Sequence, residues 1–294
     1  MDSKLDLSFC YDAVVKTDEP LKNHCTLRIG GNARYFVTVK SLCSLRELVD
    51  SAKRVNMPYK VVGNGSNLLF SDDGYDGLII SLSGLSDISF SDFGVRALAG
   101  ANLNSLIEYT VASGYSGIEN LVGIPATVGG ATVMNAGAFG KSISDHIVKV
   151  ETVKDGKLKR YDKEECRFSY RKSRFLGSKE IITAVYFDFP KKDGNGNAHV
   201  LEYLERRREA QPFGRTCGSV FKNPKGDYAG RIIEECGLKG LRVGGAKVSE
   251  FHANFIMAHE NATATDVRTL INKIKETVYK KKGIVLHEEV EYVR

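Results

Sequence analysis

The sequence predicts an α+β protein with at least two domains. Short stretches with strand character alternate with stretches of helical period, and a polar, glycine-rich break interrupts the chain at residues 191–198. A chain of 294 residues is also long enough to build two cores. We therefore expect a domain boundary in this break, between residues 195 and 196.

Strands and helices in the first half are short. Residues 44–55 place apolar side chains at a helical period with Ser44 as the expected N-cap, and residues 104–113 predict a second helix. Asp155 and Gly156 are typical of a two-residue hairpin turn. Strands are expected at residues 33–39, 59–62, 78–82, 95–99, 147–153 and 180–189.

The second half contains the most regular helix pattern. In residues 265–282 the apolar side chains fall on one stripe, with Thr265 as the expected N-cap and Gly283 as the terminator. Other elements expected here are helices at residues 199–210 and 228–236, a strand within residues 247–258 and a terminal strand at residues 284–293.

Two glycine-rich stretches predict a ligand site. Residues 123–140 carry five glycines, one proline and no charged side chain. Such a stretch should be buried, yet glycine disfavours both helix and strand, so we expect a connection whose N–H groups approach an anionic or carbonyl-bearing ligand. Residues 63–67 have the same character, and we expect both stretches to line one site. On these residues alone, tight turns in a β-rich core stay an alternative.

Composition restricts the function classes. The net charge is +6, but the basic residues are spread out except at 206–208 and 280–282, which lie on predicted helices, so no nucleic-acid partner is expected. The six cysteines show neither a C-x-x-C pair nor zinc spacing, so we expect reduced thiols and no metal site. No segment approaches the roughly 20 apolar residues of a membrane span. We expect a cytoplasmic protein without membrane insertion.

Several motifs follow one another along nearly the whole chain, at residues 28–33, 63–69, 123–130, 135–140, 170–173, 218–224, 238–240, 244–246 and 286–290. Taken together and in this order, they resemble the UDP-N-acetylenolpyruvoylglucosamine reductase (MurB) family. The resemblance implies an FAD-binding domain of the vanillyl-alcohol-oxidase (PCMH) type over residues 1–195, made of two α+β subdomains at roughly 1–84 and 85–195. An α+β substrate-binding domain over residues 196–294 would follow it.

The resemblance also implies the reaction and its cofactors. NADPH would reduce a noncovalent FAD, and the reduced flavin would reduce the enolpyruvyl ether of UDP-N-acetylglucosamine to UDP-N-acetylmuramate, a peptidoglycan precursor. A monomer is expected. The implied FAD-binding residues are Gly63, Asn64, Gly65, Ser66, Asn67, Pro125, Gly129, Gly130, Asn135 and Gly137.

Three residues match the family's catalytic positions. Hydride addition to an enolpyruvyl group leaves negative charge on the substrate carboxylate, which calls for a fixed cation and a nearby acid. Arg171 matches the arginine, Ser219 the proton donor and Glu289 a second stabilising group, which would need a raised pKa or a close cation. Asn223 and Lys239 match positions that contact the nucleotide sugar. Without the resemblance, each of these residues has an ordinary surface or turn role.

Cys217 and Glu288 depart from the family pattern, and two other functions remain as alternatives. Cys217 stands where a small residue is common and is interpreted as a buried filler, and Glu288 places a second charge beside Glu289. The first alternative function is another FAD-dependent oxidoreductase of the same fold acting on a small alcohol. The second is a non-enzymatic basic protein that binds an anionic polymer.

Overall fold

The computed structural model of the protein describes Leu7 and residues 12–191 and 196–294. The helices in these residues are α1 Leu42–Arg54, α2 Leu103–Ala112, α3 Val128–Val133, α4 Gly196–Ala210, α5 Ala229–Glu235 and α6 Ala264–Lys282. The strands of the first half are β1 Val14–Pro20, β2 Asn32–Thr38, β3 Tyr59–Val62, β4 Leu68–Phe70, β5 Tyr75–Ser81, β6 Ile88–Ser91 and β7 Gly94–Leu98. The remaining strands are β8 Gly137–Ala138, β9 Lys141–Ser142, β10 Ile147–Lys154, β11 Lys157–Asp162, β12 Ile181–Phe187, β13 Arg242–Val243, β14 Ala246–Val248, β15 Ile256–Ala258 and β16 Glu291–Val293.

The strands form several separate sheets. A four-stranded sheet has the order β1-β2-β5-β3, a five-stranded sheet the order β11-β10-β12-β7-β6, and a three-stranded sheet the order β13-β14-β15. In the five-stranded sheet β10 pairs antiparallel with both β11 and β12. The two smallest sheets are β8 with β9 and the parallel pair of β16 with β4. This mixture is an α+β architecture.

The chain divides into two compact units, each built from several segments. The first unit comprises Met1–Thr17, Tyr35–Gly63 and Gly77–Arg206, and the second comprises Asp18–Arg34, Asn64–Asp76 and Arg207–Arg294. This division describes how the backbone is packed, whereas the predicted boundary between residues 195 and 196 concerns which ligand each part binds. That boundary stays a prediction, and part of the polar break that suggested it, residues 192–195, lies outside the described residues.

Each unit has its own apolar core. In the first unit α1 and α2 pack their apolar faces on the sheets, and Leu45, Leu48 and Ile107 are among the residues with no exposed surface. In the second unit α6 buries the predicted stripe, Val267, Leu270, Ile271, Ile274 and Val278. The sequence therefore identified the core-facing side of α6 correctly.

The helix caps differ from the predicted ones by two or three residues. Ser41, not Ser44, caps α1 by accepting a hydrogen bond from the backbone N–H of Ser44. At α6 the cap is Thr263, not Thr265, and Asp266 completes a reciprocal capping box. In both regions two hydroxyl residues stand close together, and the one with extended backbone dihedrals just outside the helix becomes the cap.

The terminal strand is much shorter than predicted. Only Glu291–Val293 is a strand, while residues 284–290 are mainly irregular, with an isolated bridge between Phe221 and Glu288. Within residues 247–258 the structure has the end of β14 and the whole of β15, joined by a turn, instead of a single strand.

A carboxylate from a neighbouring loop also caps α6. The oxygens of Asp72 accept hydrogen bonds from the backbone N–H groups of Ala264 at 2.7 Å and Thr265 at 2.9 Å, and from the Thr265 hydroxyl at 2.8 Å. A carboxylate at a helix N-terminus is favourable because it satisfies amides that have no partner within the helix. This contact joins the segment after β4 to the main helix of the second unit.

We expect Asp72→Ala to lower the free energy of unfolding by about 1–3 kcal/mol, because three donors at the start of α6 lose their acceptor. Urea unfolding followed by circular dichroism measures the change. Asp73→Ala is the matched control, since Asp73 uses its backbone N–H to bond Ser71, and its loss should stay below about 0.5 kcal/mol. Equal losses in the two variants would contradict the capping role.

Candidate active site

A short helix lies inside the long glycine-rich stretch. The expectation that this stretch avoids helix is wrong, because α3 occupies Val128–Val133 and the side chain of Thr127 caps it. Gly129 is required for packing, since a Cβ there would lie 2.8 Å from the Cβ of Ala99. Close approach of the backbone to the neighbouring segment outweighs the low helix propensity of glycine.

The stretch is buried only in its middle. Residues 126–129 are buried, but Gly123 and Pro125 are exposed at one end and Phe139 and Gly140 at the other. The prediction of a buried connection therefore holds for the centre and not for the ends.

The first amides of α3 are already bonded within the protein. The N–H of Val128 donates to the carbonyl oxygen of Ala101 and that of Gly129 to the carbonyl oxygen of Ala99, both at 2.8 Å. The N–H of Gly130 donates to Thr127 Oγ1 at 3.2 Å. These three groups cannot serve a phosphate at the same time, so the expected anion-binding role of this backbone does not apply to α3.

The second glycine-rich stretch offers amides that remain available. Gly65 has a φ of +63°, and a Cβ on it would lie 2.7 Å from Cys25 Cα, so the position requires glycine. Within the part of the chain that the structure describes, the N–H groups of Asn64, Gly65 and Ser66 donate to no protein acceptor. Such a run of amides suits a phosphate or a carbonyl-rich ring.

One residue of each glycine-rich stretch makes contact in the first unit. A Cβ on Gly63 would lie 2.6 Å from Oγ1 of Thr127, the residue that caps α3. That both stretches line one site stays a prediction. Among the other predicted FAD-binding residues, Asn64 and Pro125 are exposed, Gly65, Gly129 and Asn135 are buried, and Ser66, Asn67, Gly130 and Gly137 are half-buried.

Arg171 is displayed on a tight turn of the first unit. Ser169 and Lys172 exchange two backbone hydrogen bonds, and Arg171 between them has a φ of +52°, which is uncommon for a residue other than glycine. Its Nη2 donates to the carbonyl oxygen of Gly137 at 2.9 Å, and its guanidinium lies over the ring of Tyr170. The side chain is therefore directed at the glycine-rich stretch instead of lying freely in solvent.

Two further side chains fix this turn. Asn135 Nδ2 donates to the carbonyl oxygen of Ser169 at 2.9 Å, and the Ser173 hydroxyl donates to the carbonyl oxygen of Val133 at 2.7 Å. With the Arg171 bond, three side-chain contacts join the turn to residues 133–137. Ser173 and Thr127 are not among the site residues predicted from the sequence, although a Thr just before Val128 is an ordinary N-cap signal.

Asn135 fits a bound flavin. It is only 5% exposed, and its Oδ1 has no hydrogen-bond partner among the described residues. A buried acceptor without a donor is costly, so a ligand that brings an N–H or O–H group would stabilise it. The donors left open at Asn64, Gly65 and Ser66 are complementary to the acceptors of a flavin nucleotide.

Ser219 and Glu289 lie in the second unit on neighbouring backbone segments. Residue 219 forms an isolated antiparallel bridge with Phe255, and the N–H of Glu289 donates to the carbonyl oxygen of Val220 at 2.8 Å. The Ser219 hydroxyl is half-buried and makes no hydrogen bond to another described residue. It therefore remains available as a proton donor.

The Glu289 segment also contacts the glycine-rich loop. Asn67 Nδ2 donates to the carbonyl oxygen of Glu289 at 2.9 Å, and the N–H of Glu291 donates to the carbonyl oxygen of Asn67. The neighbouring Glu288 forms an ion pair with Lys275 of α6 at 2.7 Å. Because the Lys275 cation offsets the charge of Glu288, the repulsion that Glu288 is expected to exert on the neighbouring Glu289 is weakened.

Cys217 is a buried thiol and not a reactive one. It is 3% exposed, and burial raises its pKa to about 12, with the nearby Cys25 and Glu289 adding to the shift. The thiol is therefore protonated at neutral pH, while a nucleophilic or redox cysteine requires the thiolate. The filler interpretation is supported.

The two predicted substrate contacts have partners within the protein. Asn223 Oδ1 accepts a hydrogen bond from the N–H of Ala229, the first residue of α5, at 3.0 Å. Lys239 pairs with Glu234 at 2.6 Å. A diphosphate would have to compete with Glu234 for this lysine, so both assignments stay predictions.

Two features are absent from the described residues. No group of three or more His, Cys, Asp or Glu side chains in residues 12–191 and 196–294 is arranged to hold a metal ion. Likewise, none of the helices in that part of the chain combines the length and the apolar character needed to cross a membrane.

Comparison with known proteins decides the family. Residues 33–161 match the FAD binding domain family, and residues 209–293 match the C-terminal domain of UDP-N-acetylenolpyruvoylglucosamine reductase. A protein of that name from Anoxybacillus flavithermus is 41% identical over 285 residues, which are 95% of this chain and 94% of the relative. The chain belongs to the UDP-N-acetylenolpyruvoylglucosamine reductase family.

Other members agree over the same length. A family reductase from Aquifex aeolicus is 39% identical over 282 residues and matches 93% of each chain. The crystal structure of the MurB reductase from Thermus caldophilus superposes with a TM-score of 0.82 at 35% identity, covering 96% of this chain and 99% of that one. The predicted family, the α+β class with its FAD-binding domain and the FAD cofactor are confirmed.

We expect Gly65→Ala to weaken FAD binding by about tenfold or more, because the new Cβ forces the loop away from Cys25, and tenfold corresponds to about 1.4 kcal/mol. Fluorescence titration of the apoprotein with FAD measures the affinity.

Gly114→Ala is the matched control for this substitution. Gly114 also has a positive φ, +79°, but a Cβ there meets nothing within 4 Å. It should cost stability and leave FAD affinity within about twofold, as backbone strain alone amounts to about 1–2 kcal/mol. Wild-type FAD binding by the Gly65 variant would remove this loop from the cofactor site.

Proposed function

We propose that this chain is an NADPH- and FAD-dependent reductase that converts UDP-N-acetylglucosamine enolpyruvate to UDP-N-acetylmuramate for peptidoglycan synthesis. The observation that carries this function is the similarity of the chain, over nearly its full length, to UDP-N-acetylenolpyruvoylglucosamine reductases. The position of Arg171 beside the glycine-rich stretch supports it, since the alternative small-alcohol oxidoreductase would give this arginine no role.

The proposed chemistry assigns one task to each catalytic residue. When bound, the flavin supplies a hydride to the terminal carbon of the enolpyruvyl group. The Arg171 guanidinium binds the substrate carboxylate and stabilises the negative charge that develops on it, because its planar fork matches two carboxylate oxygens. Glu289 assists at the same charge, and Ser219 donates its hydroxyl proton to the carbon next to the carboxylate.

The hydride and the proton that the substrate gains both have a source. NADPH loses a hydride and becomes NADP⁺, the carbon–carbon double bond of the substrate gains that hydride and one proton, and Ser219 recovers its proton from solvent. Serine is a weak acid, but an enolate carbon is basic enough to take its proton. A buried thiol such as Cys217 is not needed for any part of the reaction.

The remaining assignments follow from this function. The match to the FAD binding domain family lies within residues 1–195 and the match to the reductase C-terminal domain within residues 196–294, which supports the proposed FAD-binding and substrate-binding domains. Free thiols at Cys25, Cys43, Cys166, Cys217 and Cys236 support a reducing, cytoplasmic location. We propose that the protein acts as a monomer.

The decisive experiment is the visible spectrum of the purified protein under anaerobic conditions. NADPH should bleach the flavin band, and UDP-N-acetylglucosamine enolpyruvate should then restore it rapidly. Bleaching without recovery would keep the flavoprotein but discard the substrate. If no flavin band appeared even after FAD was added, the cofactor site itself would be wrong.

Ser219→Ala should separate the two half-reactions. Flavin reduction by NADPH should stay within about twofold, whereas reoxidation by the substrate should slow by roughly 10² or more, because only the second step needs the proton. Stopped-flow absorbance measures both rates. An equal decrease of both would show that Ser219 is not the proton donor.

A further inference from the structure

We propose that Asn254 is a positioning residue that holds Ser219 in place for proton transfer. The inference rests on the proposed role of Ser219. Asn254 lies in the turn before β15 and belongs to none of the sequence motifs described above.

The Asn254 side chain replaces a missing strand partner. Its Oδ1 accepts a hydrogen bond from the N–H of Phe221 at 2.9 Å, and its Nδ2 donates to the carbonyl oxygen of the same residue at 2.8 Å. The Asn254 carbonyl oxygen accepts a third bond from the N–H of Val220 at 2.8 Å. Asn254 thus binds both backbone polar groups of Phe221 and the N–H of Val220 before it, as a paired strand would.

The opposite side of this segment faces the second catalytic residue of the unit. The N–H of Lys222 donates to the carbonyl oxygen of His287 at 2.9 Å, and that of Glu289 donates to the carbonyl oxygen of Val220. The backbone after Ser219 is therefore held from both sides, by Asn254 and by the Glu289 segment. A shift of Val220 would move Ser219 and Glu289 together.

Asn254 is itself rigidly supported. It is 3% exposed, and its backbone N–H donates to Nδ1 of His252 at 3.2 Å. Burial lowers the pKa of His252, so the ring is neutral at pH 7 and its Nδ1 can accept this bond. His252 in turn packs on Gly230 of α5, where a Cβ would lie 2.9 Å from the ring.

These contacts make the orientation of Ser219 depend on a side chain that has no chemistry of its own. Gly218, just before Ser219, has a φ of +76°, and a Cβ on it would meet no atom within 4 Å. The backbone after Ser219 is fixed at Val220 and Phe221 by the Asn254 hydrogen bonds. Misplacing a catalytic group by about 1 Å can cost about a hundredfold in rate.

The test uses Asn254→Ala and Asn254→Asp in the FAD-loaded enzyme, alone and combined with Ser219→Ala. Asn254→Asp keeps the size and the acceptor for the Phe221 N–H but turns a carboxylate oxygen toward the Phe221 carbonyl in place of the donor, so it supplies a second variant of native size if the alanine variant does not accumulate. Val248→Ala is the control. Val248 is fully buried in β14, on the other side of the turn that carries Asn254, and it pairs with Ile256 instead of Phe221.

In both Asn254 variants reoxidation by the substrate should slow by about tenfold or more, while reduction by NADPH stays within about twofold. The solvent isotope effect on reoxidation should rise as proton transfer becomes limiting. In the Ser219→Ala background the Asn254 change should add less than about twofold, because the positioned group is already absent. Val248→Ala should leave the ratio of the two rates unchanged.

Multiplicative effects of the Asn254 and Ser219 changes, or a parallel loss in Val248→Ala, would overturn the inference and leave the proposed function intact. Wild-type reoxidation by Ser219→Ala alone would instead remove the proton-donor assignment, and the inference with it.

Discussion

Side-chain amides that bond to main-chain carbonyls hold the irregular backbone that carries the proposed catalytic residues. Asn135 Nδ2 bonds Ser169 beside the Arg171 turn, and Asn254 Nδ2 bonds Phe221 after Ser219. The same contact recurs where Asn67 bonds the carbonyl of Glu289 and Asn120 that of Ala138. The inner strands of a sheet have their amides paired with neighbouring strands, whereas loops can present amides to a ligand if another group satisfies their remaining polar atoms.

The glycine-rich stretches illustrate two different uses of a missing side chain. In α3, Gly129 brings the helix backbone against Ala99, and the first amides of the helix donate hydrogen bonds to the carbonyl oxygens of Ala99 and Ala101. In the loop after β3, Gly65 adopts a positive φ under Cys25, and the amides around it are left open. Composition alone makes the two stretches look alike, while only one of them leaves its amides for a ligand.

Much of the fold follows from local pattern. The stripe of α6, the terminator Gly283, the strand Tyr59–Val62 and the hairpin turn at Asp155 are local features, and the structure has each of them as predicted. The exact cap was missed at α1 and α6 because two hydroxyl residues compete at each start and only the backbone dihedrals decide between them. The α3 helix was missed because its stability comes from Ala99, which is distant in sequence.

The sequence indicates the proposed catalytic residues but not the residues that support them. Family motifs indicated Arg171, Ser219 and Glu289, yet nothing near these residues in the sequence points to Asn254 or Ser173. Their roles arise from contacts between segments that the fold brings together, as with Asn254 and Phe221. The predicted length of the terminal strand was wrong for the same reason. Its partner β4 is distant in sequence and pairs only with Glu291–Val293.

The parallel pairing of β16 with β4 has a consequence for the order in which the protein matures. The segment that carries Gly65 and Asn67 is made early in synthesis, but its partners, Glu291–Val293 and the Glu289 carbonyl, leave the ribosome far later. The second unit is assembled from three separated segments and cannot close before then. The loop at residues 63–67 therefore acquires its native contacts only after residues 289–293 have been made, and until then its open amides and the β4 edge have no partner from this part of the chain.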